Sequence, residues 1–225
     1  MKLLPFAVLA FIVWNAMTAT RRVTQDLMER SEPLGDWTLL EPVHRFATTL
    51  GVKPFDVRIL EIEQINGLAL PGGEVFISRG LYNKYLAGGV TRDEVASVIA
   101  HEIGHVALGH HRRRLNSWRT ETAALALIWY VLSRMMLGWI ALLATVGLNV
   151  VRNQMSQRDE FEADAFSAQL MMRAGADARA VITLLEKLSH WSGEAGRDIR
   201  PMSWLMTHPP IKDRIAHARL RLRSG

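Results

Sequence analysis

The five residues His101-Glu102-Ile103-Gly104-His105 constrain this chain more than any other feature. On a helix, positions four apart lie slightly more than one turn from each other, so both imidazoles leave the same face. That spacing suits two ligands of one tetrahedral zinc ion, with Glu102 beside them within reach of a metal-activated water. Zinc brings such a water to a pKa near about 7, and a neighbouring carboxylate can take its proton. The local sequence supplies the helix. Thr91-Arg92-Asp93-Glu94 is a capping box, and Val95, Val98, Ile99, Ile103 and Val106 continue with helical periodicity. The helix is expected to run to about Asn116.

Two ligands do not make a site, so the fold has to bring a third from elsewhere. The chain has no cysteine, which leaves only His, Asp and Glu and excludes disulfides and thiolate chemistry. Two candidates follow. His111 lies where metzincins place their third histidine, but that geometry needs a glycine where Leu108 stands. The other is Glu160, in Asp159-Glu160-Phe161-Glu162-Ala163-Asp164. Glu160 and Asp164 share a helix face, so Glu160 can bind the metal while Asp164 accepts the N–H of a ligating histidine. Glu162 points to nearly the opposite face.

Around this pair the patterning is mixed but mostly helical. Trp37–Leu50 reads as a helix closed by Gly51, and further helical patterns cover about 156–174, 177–191 and 211–222. Residues 56–62, 68–70 and 74–78 read as about three strands, the last two joined by a turn at Pro71-Gly72-Gly73. The fold class expected is α+β, with a small sheet beside the His101–His105 helix.

Two apolar segments bear on location. Leu3 to Thr20 carries no charge and is flanked by Lys2 and Arg21-Arg22. It is just long enough to cross a bilayer and ends in a poor cleavage site, which points to an N-terminal transmembrane anchor, with a signal peptide as the alternative. Residues 21–225 then form the catalytic domain. Within it, Ala123–Val151 is strongly apolar and lies between His105 and Glu160. Both residues must reach one ion, so any full crossings there are even in number. Arg134 divides the segment into pieces short of the roughly 20 residues a span requires. The options are a hairpin dipping into the membrane, an interfacial helix pair or a buried flap; the hairpin insertion is the reading adopted. The chain is basic, with 27 Lys+Arg against 22 Asp+Glu. Its arginines cluster beside the apolar segments, which suits a membrane lipid surface. No nucleic-acid motif is present, so nucleic acid is not expected as a partner. Lys2 against Arg21, Arg22 and Arg30 leans the domain toward the cytoplasmic side.

Three blocks carry a specific resemblance: Ile65 to Gly73 with Val75 to Leu81, His101 to His110, and Glu160 to Asp164 followed by Thr207-His208-Pro209-Pro210 and Arg214-Ile215. In these the chain resembles the gluzincin family of the heat-shock membrane protease HtpX and the CAAX prenyl proteases. One departure is that Ser156-Gln157 stands where the family has Ser-Arg, with Arg158 displaced by one. The resemblance implies a zincin-like metallopeptidase holding one zinc ion, at a bacterial inner membrane. It implies that His208 approaches the metal from a loop, stabilising the oxyanion or capping the metal at rest. It also implies an edge strand along the cleft, formed by Leu68, Ala69, Leu70, Val75 and Phe76, to which an extended peptide adds. The expected function is zinc-dependent endopeptidase cleavage of membrane or misfolded proteins. The alternative is a non-catalytic membrane assembly factor or chaperone on a peptidase scaffold.

Overall fold

The computed structural model describes residues 22, 24–70, 72–110, 113, 157–194 and 211–223. The expected anchor at 1–20, the insertion at 123–151, His111 and His208 lie outside the described residues. Among the described residues, no helix is long and apolar enough to cross a membrane.

The chain is mostly helical with one small mixed sheet. Strands β1 (Ser31–Pro33), β2 (Asp56–Leu60), β3 (Gly67–Ala69) and β4 (Glu74–Ser78) lie in the order β1-β2-β4-β3. β2 and β4 are parallel; the two outer pairings are antiparallel. β1 is one strand more than the hydrophobic pattern predicts. Its Ser-Glu-Pro sequence carries no strand signal, and Arg58 holds it by donating to the Ser31 hydroxyl at 2.9 Å and the Ser31 carbonyl at 2.9 Å.

Helix α1 (Trp37–Leu50) starts on the Asp36 side chain, which accepts the Thr38 N–H, and stops at Gly51, whose φ of 67° suits a residue without Cβ. It buries Leu39, Pro42, Val43, Phe46 and Ala47 along one stripe. After β4 comes α2 (Arg79–Leu86), capped by Ser78.

Helix α3 (Arg92–Ala107) is the centre of the molecule. Its capping box forms as the sequence predicts: Thr91 Oγ1 accepts from Glu94 N–H at 3.2 Å, and the Glu94 carboxylate accepts from Thr91 N–H at 2.7 Å. Every residue from Glu94 to His105 is buried, because α1, the sheet and α5 (Ala180–Glu194) surround it. It ends at Ala107, well short of Asn116, since the chain turns at Gly109 with φ 68°. Helix α4 (residues 157–173) lies across α3. Helix α6 (Ile211–Arg223) packs on α5.

α3 and α4 approach closely at Gly104. A Cβ there would stand 3.1 Å from Phe166 Cδ1 and 3.4 Å from the Ala163 Cα and carbonyl oxygen. The buried Ser167 hydroxyl donates to the Ser97 carbonyl at 3.0 Å and joins the same two helices further along. Ala163 neighbours Glu160 on α4, so this glycine sets how near Glu160 comes to α3. Gly104→Val is therefore expected to force the helices apart, costing about 1–3 kcal/mol of stability and lowering metal content. Gly104→Ala, which gains up to about 1 kcal/mol of helix propensity, is expected to be near neutral. Thermal denaturation with metal analysis of both variants checks this.

Candidate active site

His101 and His105 project from the same face of α3, and both are buried. Their Nε2 atoms face each other at 3.1 Å, with the rings nearly perpendicular at 83°. The Glu160 carboxylate on α4 closes the triangle. Its Oε2 is 3.4 Å from His101 Nε2, and its Oε1 is 3.5 Å from His105 Nε2. One ligand atom from each residue falls within 4.8 Å of the others. Donors about 2.0–2.1 Å from a tetrahedral zinc lie about 3.3–3.4 Å apart, so these separations fit the edges of such a polyhedron. The donor set, two imidazoles and a carboxylate, is also one that zinc accepts with a fourth position left open.

The electrostatics favour a cation as well. Burial works against a charged His101, yet hydrogen bonds to Asp164 and Glu160 carry its pKa up to about 9. Two buried carboxylates thus face His101 with Arg214 beside them, an arrangement that favours positive charge at this position.

Asp164 lies one turn after Glu160 on α4. Its Oδ1 accepts from His101 Nδ1 at 2.9 Å. That bond suits a proton on Nδ1 and leaves Nε2 to face His105 and Glu160. Asp164 is gripped from behind by Arg214, the first-turn arginine of α6, which donates through Nε at 2.7 Å and Nη2 at 2.6 Å. Burial penalises the Asp164 carboxylate, but the Arg214 guanidinium and the His101 N–H hold its pKa well below the usual carboxylate range. Arg214 Nη1 also lies 3.4 Å from Glu160 Oε2. Three elements thus meet at a fully buried guanidinium. The sequence marks Arg214 only as part of a block that carries the family resemblance, with no role assigned to it. Arg214→Met removes the only described cation between two buried carboxylates. It is expected to destabilise the metal-free protein by about 3–5 kcal/mol, checked by the urea midpoint.

Glu102 is buried beside β3. A Cβ at Gly67 would lie 3.1 Å from Glu102 Cγ and 3.3 Å from its Oε1, so the strand backbone runs directly past this carboxylate. The sheet order leaves β3 at an edge, with Leu68 paired to Phe76 and Ala69 to Val75. Here the structure corrects the sequence reading. Val75 and Phe76 belong to β4, which is paired on both sides by β2 and β3, so they offer no free edge. Among the described residues of this hairpin, only the outer side of β3, around Leu68 and Ala69, remains. Leu70 already donates its N–H to the Glu74 carbonyl at 2.8 Å, within the hairpin.

A second cluster lies behind His105, which sequence reasoning also missed. His105 Nδ1 is 2.8 Å from His110 Nδ1. His110 Nε2 is 3.3 Å from Glu162 Oε2 and 3.8 Å from Asp159 Oδ1. Glu162, set aside as a ligand candidate, pairs with Arg158 at 2.9 Å and Arg113 at 3.2 Å.

A helix carrying two histidines and a general-base candidate, completed by a carboxylate from a second helix, defines a metallopeptidase-type centre. The chain belongs to peptidase family M48, whose model matches residues 37–222. It is similar to the beta-barrel assembly-enhancing protease of Escherichia coli O157:H7, 33% identical over 174 residues, covering 75% of this chain and 34% of that protein. It is also similar to metalloprotease LoiP of Escherichia coli (strain K12), 31% identical over 176 residues, covering 76% of this chain and 64% of that protein. The chain thus spans between a third and two thirds of the length of these relatives. The crystal structure of S. mikatae Ste24p shares the fold, with a TM-score of 0.61 at 18% identity, over 97% of this chain and 58% of that one.

Proposed function

We propose that this chain is a zinc-dependent endopeptidase acting on membrane or misfolded proteins. The observation that carries the reading is the convergence of His101 Nε2, His105 Nε2 and the Glu160 carboxylate at 3.1–3.5 Å on a buried face next to Glu102. Membership of peptidase family M48 and the protease names of its relatives support it.

His101, His105 and Glu160 would hold the zinc, with Asp164 orienting His101. A zinc ion held there would supply Lewis acidity toward a peptide carbonyl and a water. Glu102 would serve as general base toward that water and pass the proton on to the departing amine. The β3 edge holds the substrate in extended form through main-chain hydrogen bonds, which select for an exposed backbone more than for side chains. His208 is assigned the oxyanion-stabilising or metal-capping role on family resemblance. The apolar stretches 3–20 and 123–151, with their flanking arginines, support a site of action at a lipid surface.

The test is zinc analysis and casein hydrolysis with the full chain in detergent. One zinc per chain is expected. Hydrolysis should be abolished by a chelator and restored by added zinc. Hydrolysis that survives complete removal of metal rejects the reading.

A further inference from the structure

His101 has an obvious orienting partner in Asp164; His105 faces another histidine. The turn at Gly109, with its φ of 68°, folds the chain back so that His110 sits fully buried behind His105. At 2.8 Å between two Nδ1 atoms, one ring has to donate and the other to accept. If His105 presents Nε2 to a metal, its proton resides on Nδ1 and is given to His110. His110, accepting at Nδ1, then carries its own proton on Nε2, which points at Glu162 Oε2 3.3 Å away. Glu162 is held in turn by Arg113 and Arg158, and Arg113 also reaches Asp159 at 3.7 Å.

We infer that His110 is a positioning residue for the metal centre, which fixes the tautomer and ring plane of His105 by accepting its Nδ1 proton and is itself anchored by Glu162. The two histidines on α3 are thus oriented by different devices. His101 is held by a carboxylate backed by Arg214. His105 is held by an imidazole backed by a carboxylate and two guanidiniums. The inference rests on His105 being a metal ligand, as proposed above. His110, Asp159 and Glu162 also stand close enough together to suggest a second cation site. Two features favour the positioning role instead. Arg113 and Arg158 already place positive charge on these carboxylates, and the Nδ1 of His110 is engaged with His105.

The experiment compares zinc affinity, by chelator competition, in wild type, His110→Phe and His110→Asn. Phe fills the space but cannot accept a hydrogen bond, whereas Asn can place its Oδ1 where Nδ1 stood. Loss of an outer partner of a ligating histidine typically weakens metal binding about 10–100-fold. That loss is expected for His110→Phe, with a changed visible spectrum of the cobalt-substituted protein. Recovery to within a few-fold of wild type is expected for His110→Asn. In zinc-loaded wild type labelled with 15N-histidine, a scalar coupling across the N–H···N bond should join the Nδ1 atoms of His105 and His110. That measurement decides the matter even if His110→Phe does not fold. Wild-type affinity and spectrum in folded His110→Phe, or absence of the coupling, overturns the inference. So does loss of a second equivalent of zinc with the first retained, which assigns His110 to a second site. Failure of wild type to bind zinc instead removes the function proposed above.

Discussion

Glu102→Gln is expected to bind one zinc per chain with near wild-type affinity and to hydrolyse casein about 10²–10⁴-fold more slowly. The substitution keeps the shape of a side chain that is buried against the Gly67 strand, so α3 and its two histidines have no reason to move. It removes one negative charge and the ability to take a proton. Glu102 also contributes to the negative field that stabilises the charged Arg214, so a small loss of metal-free stability should accompany the loss of turnover. Casein hydrolysis within tenfold of wild type would remove Glu102 from the role of general base. Full biological complementation by the inactive variant would instead favour the non-catalytic assembly-factor reading. The decisive comparison is therefore turnover and metal content measured on the same preparation.

The parts of this fold that could be read from sequence are those decided within one or two helical turns. The Thr91–Glu94 capping box, the spacing of His101 and His105, and the shared face of Glu160 and Asp164 are local facts. The structure places these groups where helical geometry requires. The boundaries of α1 and α4 follow for the same reason, since Asp36 is a local start signal and Gly51 and the turn around Gly175 are local stop signals. What escaped depends on contacts made across the chain. β1 exists because Arg58 binds a three-residue segment with no strand character. The interior position of Val75 and Phe76 follows from the parallel pairing of β2 with β4, a crossover that alternation does not reveal. Arg214 becomes buried only because α6 docks its first turn onto Asp164, far back along the chain. His110 lies in a block singled out by resemblance, but its contact with His105 depends on the early turn at Gly109, where helical periodicity predicted continuation.

Glu160→Ala is expected to be isolated without stoichiometric zinc and to gain no thermal stability when zinc is added. A ligand present at about 1,000 times its dissociation constant stabilises a folded protein by about 4.1 kcal/mol. For a chain of this size, that is a rise in Tm of about 8–16 °C in wild type over the chelated state. The two imidazoles left in Glu160→Ala supply one donor too few for a closed set, and the shift should vanish. The metal-free protein should suffer much less, because Arg214 keeps both of its hydrogen bonds to Asp164 when Glu160 is removed. Arg214→Met should behave in the opposite way. It lowers stability in the absence of metal, yet leaves all three donor groups present, so added zinc restores much of what was lost. Thermal melts of the three proteins, each with zinc and with chelator, therefore separate a residue that holds the ion from one that holds its neighbours. A zinc-dependent shift of wild-type size in Glu160→Ala would mean that the third donor lies elsewhere in the chain.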